Sequence, residues 1–78
     1  MAGGGLPALS GKRVVQALTR AGFYVERVVG SHHILVFRGD LSRSVSVPVH
    51  GNREMKRGTL RSILRQTGLS SDQLLELL

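Results

Sequence analysis

The chain of 78 residues contains no cysteine and no tryptophan, and only one tyrosine, two phenylalanines and two prolines. Without cysteine, a disulfide framework and a thiolate metal site are both excluded, which suits a reducing cytoplasm. With so few aromatic rings, the stacking platform used by many single-strand nucleic-acid binders is poorly supplied. No apolar run approaches the length of a membrane span. The N-terminus lacks the charged and apolar regions of a signal peptide, so a cytoplasmic protein without membrane association is expected. Acidic residues are scarce, five against eleven basic ones, and a paired-carboxylate mechanism has little to draw on.

What remains is a small, basic, single-domain composition. A domain of this length buries only about 60% of the surface its unfolded chain exposes, so its core is thin. The net charge of +6 favours polyanionic partners, either nucleic acid or an acidic protein. The charge is also uneven. Arg53, Lys56, Arg57, Arg61 and Arg65 fall within thirteen residues, and beyond Arg65 only Asp72 and Glu76 are charged. These five cations are the candidate RNA-phosphate contacts; the alternative is an ordinary solvated basic face.

Hydrophobic spacing orders the chain. The glycine-rich stretch to Ala8 reads as a flexible tail, and residues 9–78 as one domain. Ser10 is placed to cap a first helix, with Leu9 and Val14 as a hydrophobic staple. Val14, Ala17, Leu18 and Ala21 form its apolar face, and Gly22 is positioned to end it. Strand-like segments follow at Phe23–Val29 and His32–Arg38, broken by Gly30, and at Ser44–Val49. "GDLSRS" between the last two reads as a turn-rich connection. Pro48 cannot donate to a ladder, so its strand stops there or lies at an edge. A second helix is expected near Thr59, with Leu60, Ile63 and Leu64 inward and Arg61 and Arg65 outward. Gly68 stops it. Ser70 and Gln73 form a capping box for a short third helix. The expected fold is α+β, in the order α-β-β-β-α plus a short C-terminal helix. Its three-stranded antiparallel sheet carries helices on one face.

Two of the three histidines stand together in "VVGSHHILVF", Val28 to Phe37. Successive strand side chains point to opposite faces, which sets His32 with Ile34 and Val36 and His33 with Leu35 and Phe37. The pair therefore cannot readily chelate one ion, and no metal or other cofactor is expected. An exposed imidazole, with an ordinary pKa of about 6.5, is well suited to move a proton near neutrality. RNA supplies its own nucleophile in the 2′-hydroxyl, so one imidazole and a few cations make up a metal-free ribonuclease. Gly30 allows the sharp bend such a site needs. The plainer reading makes either histidine a hydrogen-bonded residue of a sheet. His50, beside Gly51 and Asn52, is suited to bind phosphate, to cap the next helix, or to neither.

"GSHH" at Gly30–His33, then "VPVHGNREMKRGTLRSILRQTGLS" from Val47 to Ser70, closely resembles the HicA toxins of bacterial and archaeal toxin–antitoxin pairs. "LSGKRVVQALTRAGF", Leu9 to Phe23, also resembles that family's first helix. The resemblance implies a fold like the double-stranded-RNA-binding domain. It also implies ribosome-independent cleavage of mRNA, held in check by a HicB-type antitoxin. Within the motif, Gly30 and Ser31 are structural, and the histidine after them, His32, is the implied catalytic residue. Pro48, His50, Gly58, Thr59 and Leu60 match as architecture. The second acid–base group stays open between His50, His33 and a lysine. The competing functional reading is a non-catalytic module that binds RNA or an acidic protein.

Overall fold

The computed structural model describes residues 6–78. Its elements are α1 (Gly11–Arg20), β1 (Phe23–Val29), β2 (His32–Phe37), β3 (Asp40–Pro48), α2 (Arg57–Thr67) and α3 (Ser71–Glu76). The strands form one antiparallel sheet in the order β1-β2-β3. This is the expected α+β fold. Val14, Ala17 and Leu18 of α1, Leu60, Ile63 and Leu64 of α2, and Leu74 of α3 pack on Phe23, Leu35, Val45 and Val47 of the sheet. Each of these side chains other than that of Ala17 contributes about 1.5–3 kcal/mol over leaving it exposed. Leu6 is buried in the same cluster although its glycine-rich surroundings read as tail; residues 1–5 of that tail lie outside the described residues.

The helix ends follow the sequence signals. The Ser10 side chain accepts from the Arg13 amide at 3.2 Å, satisfying one of the free N–H groups of α1. Gly22, with φ of +103°, lets the chain reverse into β1. Ser70 and Gln73 form both bonds of the capping box. Two arginines tie down carbonyls at the far ends of helices: Arg43 donates to Thr67 at 2.7 Å and Arg20 to Leu77 at 2.6 Å.

β3 begins four residues earlier than the valine–serine alternation predicts. Val36 lies opposite Ser44 while Phe37 lies opposite Asp40, so Leu41 to Arg43 bulge without partners on β2. The Asp40 carboxylate holds this bulge. It accepts from the Ser42 hydroxyl at 2.6 Å and from the Ser42 amide at 3.1 Å. Those two bonds, with Arg43 nearby, keep its pKa below the ordinary aspartate value against a small opposing effect of burial. α2 likewise starts at Arg57, slightly ahead of Thr59.

The other end of β3 decides where the sheet stops. The Val49 amide donates to the Ser31 carbonyl at 2.7 Å. Antiparallel alternation then turns the Pro48 nitrogen to the free edge, where no donor is required. The Ser46 amide, the next to face that edge, donates to the Gln66 side chain at 3.4 Å. Pro48 is thus both the last residue of its strand and an edge residue.

Candidate functional site

The two-residue turn Gly30–Ser31 joins β1 to β2, closing the pair Val29–His32. Gly30 has φ of +59°. A positive φ at the first central position matches the type II′ hairpin turn, whose twist suits the flanking strands. His32 therefore opens β2 directly from the turn. It is exposed, with Val29 on one side and Pro48 on the other. Directly opposed residues share a face, so these three side chains project from the sheet surface away from the helices.

His33 opposes Val47, a fully buried core residue, and so faces the helices. Its Nδ1 is buried and has no hydrogen-bond partner. The alternation expected from the sequence thus separates the two imidazoles completely. One meets solvent; the other carries an orphaned polar atom, a defect that costs about 1–3 kcal/mol where it occurs.

Three further segments converge on this end of the sheet. The Val49–Ser31 bond joins the hairpin turn to the loop that follows β3. The start of α1 packs on the end of β3 so closely that a Cβ on Gly11 would overlap the Pro48 carbonyl oxygen. The loop in turn is pinned to the segment before α1, by a bridge between Ser10 and Glu54 and by donation from the Met55 amide to the Leu9 carbonyl at 2.9 Å. The N-termini of α1 and α2 are thereby held at the same end of the fold.

Electrostatically this end is unbalanced. Neither α1 nor α2 has an acidic residue in its first turn, and α2 has no side-chain cap. Instead Lys12 and Arg13 begin one helix, and Lys56 and Arg57 flank the start of the other, all exposed. Cations at the positive ends of two helix dipoles are unfavourable, and a bound anion relieves that cost.

Between the end of β3 and the start of α2 lies a pocket of about 220 Å³, lined by Pro48, His50, Arg53, Glu54, Met55, Lys56 and Thr59. It brings His50, Arg53 and Lys56 together, one strand over from His32. Arg57 lines a second, smaller recess with Leu6, Pro7 and Leu60. Arg61 and Arg65 are exposed further along α2. Arg65 stands eight residues after Arg57, about 12 Å along the axis at 1.5 Å per residue. The basic row thus runs away from His32 and does not surround it. Glu54 and Met55 were missed as site residues, because no spacing rule singles out one carboxylate and one thioether inside a basic loop.

A family model described as the HicA toxin of bacterial toxin–antitoxin matches residues 11–69. The chain belongs to the HicA toxin family. The match runs from the start of α1 to just short of α3 and takes in the hairpin turn, His32 and the whole pocket. HicA proteins are the toxin members of toxin–antitoxin systems, so membership implies an antitoxin partner. No match was found among curated proteins. Among the described residues, no group of three or more His, Asp or Glu side chains is arranged to hold a metal ion. No helix among them is long and apolar enough to cross a membrane.

Proposed function

We propose that this HicA toxin is an endoribonuclease that cleaves mRNA without a metal ion, using His32 as the proton-transfer group, and that a HicB-type antitoxin masks it. The observation that carries this reading is the position of His32. It is an exposed imidazole at the mouth of a hairpin, beside a basic surface built from two helix starts and their connecting loop.

In the proposed reaction the His32 imidazole takes the proton of an RNA 2′-hydroxyl. The 2′ oxygen forms a bond to the adjacent phosphorus, and the bond from phosphorus to the 5′ oxygen breaks. Protonation of that leaving oxygen gives a 5′-hydroxyl and a 2′,3′-cyclic phosphate. Arg53, Lys56 and Arg57 stabilise the charge that builds on the phosphoryl oxygens, and Arg61 and Arg65 hold the chain beyond. His50 and Lys56, which line the pocket at Pro48, are the candidates for the second proton-transfer group. His33 faces the helices and does not meet the same phosphate. Gly30 and Ser31 set the turn that presents His32.

The test compares wild-type protein with His32→Ala on a defined RNA in the presence of a chelator. Wild type cuts, and the variant, folded with an unchanged melting temperature, is slower by about 100-fold or more. A folded variant that cuts at the wild-type rate refutes the assignment of His32. RNA binding without fragments from wild type replaces this reading with that of a non-catalytic RNA-binding module.

A further inference from the structure

The pocket beside Pro48 has a shape and a chemistry that phosphate binding does not use. A phosphate site lined with cations has no place for a carboxylate, yet Glu54 lines this one. Glu54 forms no ion pair among the described residues, and its backbone is fixed by the bridge to Ser10. The remaining lining includes Pro48 and Met55, residues of apolar and polarizable character. At about 220 Å³ the pocket falls below the usual range for drug-sized ligands, and suits a single heterocycle.

We propose that the pocket bounded by Pro48, Met55, Glu54 and Thr59 seats one nucleobase of the RNA substrate, and that Glu54 selects bases bearing an exocyclic amine, so that uracil is disfavoured there. This rests on the reading of His32 as the RNA-cleaving residue.

The position follows from the ladder. Pro48 and His32 are directly opposed on the same face of the sheet, with side chains starting about 4.5–5.5 Å apart. A nucleotide with its phosphate at His32 can place its own or its neighbour's base across Pro48 into the pocket. The selectivity follows from hydrogen bonding. A carboxylate only accepts. Adenine, cytosine and guanine each present an amine to it, whereas uracil presents carbonyl oxygens flanking its one ring N–H. Those oxygens would face a negative charge. The Thr59 hydroxyl donates or accepts as needed and does not discriminate. The same carboxylate disfavours an acidic side chain from a protein partner and leaves a base as the occupant.

Two measurements test this. The first sequences the ends of fragments from a random-sequence RNA cut by wild type and by Glu54→Gln. Uracil should be under-represented about five-fold or more at one fixed position beside the cut with wild type. Glu54→Gln, whose amide both donates and accepts, should remove most of that depletion at an unchanged melting temperature. Cutting with no such depletion, or depletion that Glu54→Gln leaves intact, overturns the base pocket while leaving the cleavage reading standing. The second needs no cleavage: wild-type protein is titrated with each of the four nucleoside 5′-monophosphates and followed by NMR. Shifts at the Met55 methyl and at Thr59 with the amine-bearing three, and weaker or none with uridine monophosphate, support the proposal. Equal shifts with all four, or none with any, overturn it. So do shifts there caused only by an acidic protein partner.

Discussion

Adding one methyl group to a helical glycine should have opposite effects at Gly11 and Gly58. Both lie in the first turn of a helix, Gly11 in α1 and Gly58 in α2. In each case alanine removes a backbone entropy penalty of about 0.5–1 kcal/mol. Around Gly58 an added Cβ meets nothing within 4 Å. Gly58→Ala is therefore expected to stabilise the fold by about 0.5 kcal/mol, raising the melting temperature by about 2–4 °C. At Gly11 the same Cβ overlaps the Pro48 carbonyl oxygen, and comes within 3.0 Å of its carbonyl carbon and 3.1 Å of the Val49 Cα. All three obstacles are backbone and cannot swing aside. Overpacking of this kind costs up to about 3 kcal/mol. Less the propensity gain, the net loss is about 2 kcal/mol, or about 8–16 °C in a domain of this size. Thermal unfolding followed by circular dichroism reads both variants. If Gly11→Ala melts within about 2 °C of wild type, then α1 is not seated on the end of β3, and the convergence of elements beside His32 is wrong.

Two further outcomes follow from single side chains. His33→Leu removes the orphaned Nδ1 from the helix side of the sheet and should raise stability by about 1 kcal/mol in urea unfolding; a loss of comparable size would mean that the nitrogen has a partner. The Ser42→Ala substitution removes the larger of the two bonds to Asp40, so the Asp40 pKa, followed by NMR, should move up toward its ordinary value. The linked stability has a definite sign. Because folding depresses this pKa, the contribution is present above the unfolded value and is lost as pH falls through the folded one. Ser42→Ala should therefore lose less stability than wild type on acidification through that range.

Much of the fold was legible because its signals are local. Ser10 and Ser70 accept from the amides three residues on, as cap spacing requires, and Gly22 and Gly68 take the positive φ that ends a helix. The two imidazoles were separated by strand alternation alone. What stayed hidden depends on partners distant in sequence. Leu41 to Arg43 look like turn residues until the Asp40–Ser42 bonds fix them as a bulge within β3. Leu6 sits among glycines and reads as tail, yet the core accepts it. Val36 falls on the surface away from the helices and is nonetheless 4% exposed, beside the Tyr24 ring on which Arg38 stacks at 4.7 Å. The pocket was least visible of all, because it depends on the Ser10–Glu54 bridge and the Leu9–Met55 hydrogen bond drawing the loop over the end of β3.

The uneven use of the arginines also bounds how strongly ionic strength can act on this protein. Arg20 and Arg43 are engaged with carbonyls at helix ends, Arg27 with Glu26, and Arg38 with the Tyr24 ring. Lys12, Arg13, Arg53, Lys56, Arg57, Arg61 and Arg65 remain for a polyanion. Each phosphate contact to a single strand lowers the slope of log affinity against log salt by about 0.7, so contacts from these seven alone give a slope near −5, where contacts from all eleven cations would give nearly −8. Neutralising Arg20 or Arg43 should leave that slope unchanged and lower the melting temperature instead.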